Sequence, residues 1–122
     1  MNAAGVKPIF PDNSAVESVP CPSRSQCTAV GSGSEVTFDP ASGRVNAAGD
    51  KSIDSRNSLN SVSCPSGSRC TAVDDNGNEV TFDPASGRVN LARVKRIDSR
   101  NSLKSVSCPS RSQCTAVDDR GK

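Results

Sequence analysis

This chain of 122 residues has no His, no Tyr and no Trp, and it has only three Phe. Without histidine there is no Ser-His-Asp or Cys-His catalytic group and no imidazole to carry protons. Without tyrosine, one class of glycosidase nucleophile is missing, although a carboxylate pair for ordinary glycoside hydrolysis stays open. The aromatic platforms that usually bind sugars are also missing, which counts against a lectin.

The chain also lacks a strong net charge and any long apolar run. A formal net charge of +2 is too small to indicate a nucleic-acid or membrane partner. No run approaches the length that spans a membrane, and no apolar segment of a signal peptide follows Met1. We therefore expect Met1 to begin a mature form or an excised piece of a secreted protein.

Six cysteines are present, and they fall into pairs six positions apart. No Cys-x-x-Cys occurs and histidine is absent, so a zinc site is disfavoured. Many pairings are conceivable for six cysteines, but the repeated context favours the local one. Each such bond should add roughly 2 kcal/mol to stability by restricting the unfolded chain. Disulfides predict an oxidising compartment, extracellular or periplasmic. The predicted bonds are Cys21–Cys27, Cys64–Cys70 and Cys108–Cys114.

The cysteine pairs belong to a repeat with a period of 43 to 44 residues. The segment Glu35–Val45 recurs without change at Glu79–Val89, and Ile53–Leu59 recurs at Ile97–Leu103. The predicted organisation is one domain, with a trailing strand at 1–17, a first repeat at 18–60, a second repeat at 61–104 and a partial third repeat at 105–122.

Each repeat predicts four short strands, because apolar residues alternate between turn signals and no segment has a helical period. Asn-Gly in the second copy tolerates positive φ and marks a tight turn. In that copy we predict a first strand around Val62 and Cys64, a five-residue loop at Pro65–Arg69, a second strand at Cys70–Asp74, a turn at Asp75–Asn78, a third strand at Glu79–Phe82, a fourth strand from Arg88 to about Val94, and a linker at Asp98–Ser102.

Four antiparallel strands in about 40 residues are typical of a β-propeller blade. The pattern Ser-Val-Ser-Cys-Pro-Ser-x-Ser-x-Cys-x-Ala-Val-Asp resembles repeats of secreted bacterial propeller proteins. The turn Asp75-Asn-Gly-Asn-Glu-Val also resembles, distantly, the Asp-box of sialidase-type propellers. The resemblance covers most of the chain, with two departures. The fourth strand lacks the usual large aromatic residue, and Gly31–Ser34 replaces the Asp-Asn-Gly turn in the first copy.

The predicted fold class is therefore all-β, with propeller-like four-stranded blades in about 2.75 repeats. An N-terminal strand, two whole units and a final hairpin make eleven strands, fewer than three complete blades. A propeller ring holds about four to eight blades. We therefore expect a homo-oligomer, with a dimer that makes a six-bladed ring favoured. A β-trefoil of three such units, closed as a monomer, is the alternative.

The polar groups that recur identically in a predicted loop are Arg56 with Asn57 and Arg100 with Asn101. They are the candidate ligand-binding residues, although Arg paired with Asp54 or Asp98 in a turn explains them equally. Oxygen-bearing side chains also alternate through the turn of the second copy, as in a calcium loop, but the later glycine and bidentate glutamate of an EF-hand are missing. The weak calcium candidates are Asp74, Asn76 and Asn78.

Acidic residues in the turns are the remaining candidates for catalysis, and turn chemistry explains them without a function. No cofactor and no catalytic residue is predicted. The expected function is a non-catalytic extracellular binding or scaffold module, with carbohydrate as one candidate ligand. A fragment of a larger secreted enzyme, such as a glycoside hydrolase, and a structural repeat without ligand are the alternatives. The acidic residues concerned are Asp74, Asp75, Glu79, Asp118 and Asp119.

Overall fold

The fold was examined in a computed structural model, which describes residues 15–42, 44–45, 51–54, 57–84, 88–98 and 101–121, without the side chains of residues 51 and 88–94. Throughout this part of the chain the regular structure consists of strands, with no helix. The strands form three antiparallel sheets in chain order. The all-β prediction is therefore confirmed.

The first sheet contains β1 (Cys27–Gly31), β2 (Ser34–Phe38) and β3 (Lys51–Ser52). Ser32 and Gly33 turn the chain between β1 and β2, and both have positive φ, of 48° and 83°. Two such residues form the tight turn that matches the twist of paired strands. The Gly-Ser-Gly-Ser sequence of the first copy therefore still makes a hairpin.

The segment before β1 pairs with it through isolated bridges rather than a full strand. Ser18 pairs with Val30 of β1, and Ser23 pairs with Gln26, the residue before β1. Pro20 occupies the position that serine has in the other copies, and it has no N–H to donate. Its carbonyl still accepts a hydrogen bond from Thr28 N, at 3.0 Å. Pro20 thus explains why the first copy lacks a regular first strand here.

The second sheet is a four-stranded antiparallel meander with its strands in sequence order. This confirms the four strands predicted for the second copy, although the last extends beyond Val94. The turn around Gly77 lies between the second and third strands. The strands are β4 (Leu59–Ser66), β5 (Arg69–Asp74), β6 (Asn78–Asp83) and β7 (Arg88–Arg96).

The third sheet is the hairpin of β8 (Leu103–Ser110) and β9 (Gln113–Asp118). Its register repeats that of β4 and β5, since Leu103 pairs with Asp118 as Leu59 pairs with Asp74. The same two register shifts recur in both hairpins. Two copies of one sequence therefore give one local structure.

The predicted five-residue loop at Pro65–Arg69 is wrong. Strand β4 continues through Pro65 to Ser66, and Ser66 pairs with Arg69 across a two-residue turn. A register shift between Ser63 and Ser66 accommodates the proline. Proline lacks a ladder donor, and a bulge is one of the places in a sheet that tolerates it.

The sheets pack face to face along the chain. Residues of β5 alternate, so that Cys70 and Ala72 face the first sheet while Val73 faces the third. The first contact buries Phe82, Leu59 and Val80 almost completely. One phenylalanine and a small set of aliphatic residues thus form this core. The first core cluster contains Val30, Ile53, Leu59, Val62, Cys70, Ala72, Val80 and Phe82, and the second contains Val73, Leu103, Val106 and Cys108.

Candidate functional site at the sheet junctions

The predicted ligand-binding residues lie where one sheet meets the next. Asn57 follows the first sheet, and Asn101 follows the second. Arg56 and Arg100 lie outside the described residues, and a ligand-binding role for them stays a prediction. Each of the two asparagines donates its side-chain amide to an aspartate three residues earlier. A ligand-binding role for them stays a prediction.

The first junction joins two buried aspartates, Asp54 from the linker after β3 and Asp74 from the end of β5. Asp54 is 3% exposed and Asp74 is fully buried. Their carboxyl groups share a hydrogen bond. The first junction therefore brings two acidic side chains together away from solvent.

Amide donors surround the Asp74 carboxylate. It accepts hydrogen bonds from the backbone N–H of Asn76 at 2.9 Å and of Asn78 at 2.8 Å. The Asn78 side chain donates a third, at 2.7 Å. Asn57 Nδ2 lies 3.2 Å from Asp54 Oδ1. The Asn57 side-chain oxygen Oδ1 accepts a hydrogen bond from the Asn76 side-chain amide. The turn after β5 is thereby tied to the linker of the preceding copy.

This environment sets the charge of Asp74. Burial opposes ionisation of the Asp74 carboxyl, but hydrogen bonds from Asp54, Asn78 and Asn76 outweigh burial and hold its pKa below the ordinary value. Hydrogen bonds to the charged form favour that form. These hydrogen bonds therefore favour the ionised form of Asp74.

The second junction repeats the arrangement one copy later. The Asn101 side chain bridges two carboxylates, reaching Asp98 Oδ1 at 3.4 Å and Asp118 Oδ2 at 3.1 Å. Asp118 Oδ1 accepts from the backbone N–H of Arg120 at 2.9 Å, as Asp74 does from Asn76. The equivalent residues of the next copy thus connect the second sheet to the third.

A glycine anchors each linker against the preceding turn. Gly33 O accepts hydrogen bonds from the N–H groups of Ile53 and Asp54, both at 2.9 Å. Gly77 O accepts from Ile97 and Asp98 in the same way, at 2.8 and 2.9 Å. A Cβ atom at Gly77 would lie 1.7 Å from Asp98 O. Only glycine therefore allows the linker to approach this closely.

Serine hydroxyls connect the Ser-Val-x-Cys segments of successive copies, a role that the sequence reasoning missed. Ser18 Oγ accepts from Val62 N at 3.2 Å, and the equivalent Ser61 Oγ accepts from Val106 N at 3.3 Å. Ser63 Oγ accepts from Cys108 N at 3.0 Å. The available signal was the alternation of serine with a buried valine in the Ser-Val-Ser-Cys motif.

The disulfides confirm the predicted local pairing in all three copies: Cys21–Cys27, Cys64–Cys70 and Cys108–Cys114. Each bond closes the hairpin that carries it, with Cα atoms 4.0 to 4.1 Å apart. The bonds hold together the hairpins whose serines form the junctions.

The calcium candidates Asp74, Asn76 and Asn78 lie together in the turn after β5. The carboxylate of Asp74 is engaged by the backbone and side-chain amides of that turn, as described above. Within the described residues no group of three or more His, Cys, Asp or Glu side chains is arranged to hold a metal ion. Calcium binding stays a prediction.

The remaining acidic candidates occupy turns or a strand. Asp75 and Asp119 are exposed, and the N–H group of each donates to a serine carbonyl, Ser58 or Ser102. Glu79 Oε1 accepts a hydrogen bond from Thr81 Oγ1 at 3.1 Å. The structure brings together Asp54 and Asp74, a pair that the sequence reasoning did not single out.

In the part of the chain that the structure describes, no helix is long and apolar enough to cross a membrane.

Comparison with protein-family models and with curated proteins yields no match for this chain.

Proposed function

We propose that the chain is a non-catalytic extracellular scaffold module, in which sheets that each carry one disulfide pack face to face through one repeated junction. The observation that supports this most is the recurrence of the serine contact one copy apart. Ser18 contacts Val62, and Ser61 contacts Val106, through the same atoms at nearly the same distance. A surface that is used twice within one chain suits the addition of further units.

The assembly that we favour is a propeller-like ring made by two chains. The four-stranded meander of β4 to β7, stacked against neighbours on both faces, supports blades over the three-fold trefoil alternative. One chain supplies at most three blades, whereas rings hold about four to eight. Two chains joined head to tail would supply six.

The compartment that fits this proposal is extracellular or periplasmic. All six cysteines are paired, and none is free. Disulfides persist in oxidising surroundings and are rare in reducing ones. The secreted bacterial propeller repeats that the sequence resembles would share such surroundings.

Scaffolding is preferred to ligand binding at the junctions because their polar groups bind one another. The Asn57 and Asn101 amides donate to aspartates of the same chain. A fragment of a larger enzyme, such as a glycoside hydrolase, remains the alternative. Asp54 and Asp74 are in hydrogen-bond contact, whereas the carboxyl groups of a retaining glycosidase lie about 5 to 5.5 Å apart. This pair therefore gives the enzyme alternative no support.

Light scattering behind size exclusion, with and without reductant, tests the proposal. We expect the mass of two chains under oxidising conditions and loss of that species after reduction. A folded monomer would contradict the two-chain ring and favour the trefoil.

A glycan array then separates a scaffold from a carbohydrate-binding module. We expect no specific signal from the two-chain species. Saturable binding of one glycan class would replace the scaffold with a binding function, and Asn57 and Asn101 would be the first residues to substitute.

A further inference from the structure

The outer edge of β9 is open, beside a cleft between the second and third sheets. In the second sheet, β6 covers the equivalent edge of β5 and pairs with it. Among the described residues the third sheet contains only β8 and β9. The cleft has a volume of about 300 Å³, and its lining includes Thr81, Ile97, Val106 and Ala116 together with the charged side chains of Arg69, Glu79 and Arg111.

Equivalent residues show how much surface this opening leaves uncovered. Ile53 at the first junction is 5% exposed, whereas Ile97 at the second is 55% exposed. Ile53 packs in one cluster with Val80 and Phe82 of β6. Ile97 has no third-strand residues of the next sheet against it within the described chain. The missing contacts are therefore those of one strand.

Two further pairs of residues agree with this assignment. Thr37 is 5% exposed, and its equivalent Thr81 is only half-buried. Cys70 is fully buried beneath β6, and its equivalent Cys114 is exposed. Each residue that has become accessible faces the cleft or lies on the open edge. The residues that are exposed here are therefore the ones that a third strand would cover.

We propose that β9 binds an extended peptide segment with the third-strand sequence Asn-Glu-Val-Thr-Phe-Asp, which adds antiparallel to its open edge. The pairing of β5 with β6 fixes the register, since Ala72 lies opposite Val80 and Cys70 opposite Phe82. The segment's valine then lies opposite Ala116 and its phenylalanine opposite Cys114. This inference rests on the proposed function, because it completes a unit of the same stack.

The chemistry of the cleft selects this segment. Alternate side chains of a strand point to the same face, so the valine and the phenylalanine both enter the cleft. There they contact Ile97 and Val73, as Phe82 and Val80 contact Ile53 and Val30. The intervening threonine points the other way, toward Thr115. Thr71 and Thr81 form the equivalent hydroxyl pair, with their Oγ1 atoms 2.9 Å apart.

A fluorescein-labelled peptide of this sequence, titrated into the oxidised chain with anisotropy as the readout, tests the proposal. The matched control is Asn-Val-Glu-Phe-Thr-Asp, which has the same composition but presents its apolar side chains on the other face. We expect saturable binding of one peptide per chain, with the control at least about tenfold weaker.

Two variants of the chain locate the binding surface. Ile97→Ser removes an apolar side chain that lines the cleft, and Val19→Ser removes one that is also exposed, at 44%, but lies outside both the cleft and β9. We expect Ile97→Ser to weaken binding about tenfold, and Val19→Ser to change it less than about twofold. Both residues are exposed, so neither variant should prevent folding.

The proposal is overturned if the peptide fails to bind, if the face-exchanged peptide binds equally well, or if Ile97→Ser leaves the affinity unchanged. A second folded chain that occupies this edge and is not displaced by the peptide would overturn it as well. The mass of the assembly without peptide tests the proposed function separately, since a two-chain ring leaves this strand position open.

Discussion

At the scale of single residues, the serines of the Ser-Val-Ser-Cys motif have a role that depends on the copy that follows. Ser61 Oγ accepts a hydrogen bond from the N–H of Val106, whose side chain is 8% exposed. The equivalent Ser105 is exposed. One residue type at one position in the repeat is thus a junction contact in one copy and a surface residue in another.

We expect Ser61→Ala to lower the free energy of unfolding by about 1 kcal/mol, because the Val106 N–H loses its acceptor. Ser105→Ala is the matched control and should cost less than about 0.5 kcal/mol. Urea unfolding of both variants measures the difference. Equal effects would show that the Ser61 hydroxyl contributes nothing to the junction.

The carboxyl group of Asp74 makes the stability of the fold depend on pH. Its folded pKa lies below the ordinary value of 3.8. The stability that it contributes is therefore fully present above that ordinary value and is lost as pH falls through the folded pKa. Acid unfolding should accordingly begin at the junction between the first two sheets.

We expect Asp74→Asn to cost about 2 kcal/mol at neutral pH, because the amide NH2 that replaces Oδ2 cannot accept the hydrogen bond from the Asn78 side chain. The variant should also lose part of the decline in stability below about pH 4. Asp75→Asn, in the exposed neighbouring position, is the control. Thermal unfolding across the pH range measures both effects, and identical profiles for the two variants would contradict this account of Asp74.

At the scale of elements, the tight turns at Gly33 and Gly77 both connect paired strands and bind the next linker. Gly77 has φ of 82° and Gly121 has φ of 87°. The carbonyl of Gly77 binds the linker at Ile97 and Asp98. A Cβ atom at Gly121 would meet nothing within 4 Å. The two glycines therefore share a backbone conformation but not a neighbour.

Comparing alanine substitutions at Gly121 and Gly77 separates the cost of backbone strain from the cost of a steric clash. We expect Gly121→Ala to cost about 1 kcal/mol, from positive φ alone. Gly77→Ala should cost at least about 2 kcal/mol more, since the linker at Asp98 must move away. Chemical denaturation measures both variants. Similar costs would mean that the linker is not held against Gly77.

The hairpins also show how far the sequence predicted the elements. Alternating apolar residues and the Asn-Gly turn correctly predicted β5 and β6, because local patterning decides such strands. Proline after the cysteine suggested that β4 ends at Cys64, yet the strand continues to Ser66. The bulge that admits Pro65 arises from pairing with β5, and a single strand's sequence does not contain it.

At the scale of the whole molecule, the protection of the disulfides from solvent decreases from the second sheet to the third. Cys70 is fully buried between the first and third sheets, whereas Cys114 on the open strand β9 is exposed. Cys21 is exposed too, although its partner Cys27 is 2% exposed. The three chemically identical disulfides therefore differ in access to solvent.

We expect limited reduction followed by alkylation and mass mapping to leave Cys64–Cys70 intact longest. Access controls the rate of attack on a disulfide, and local opening of a covered strand costs more than opening of an exposed one. Cys108–Cys114 should be modified before Cys64–Cys70. Simultaneous reduction of the three bonds would show that the sheets open as one unit.

The repeat, the all-β class, the disulfide pairing and most strand positions follow from the amino-acid sequence alone. These properties depend on residues that are neighbours along the chain, so alternation, turn chemistry and short loops suffice to specify them. The sequence also marked Asn57 and Asn101 as special, because they recur identically.

The tertiary structure, in contrast, shows what those asparagines contact and that Asp54 and Asp74 form a carboxyl pair. It also decided that Ile97 lies open while Ile53 is covered. The two isoleucines have the same local sequence, so no local pattern distinguishes them. The difference comes from the presence of β6 in the second sheet, which covers one isoleucine, and from the open edge of β9 beside the other.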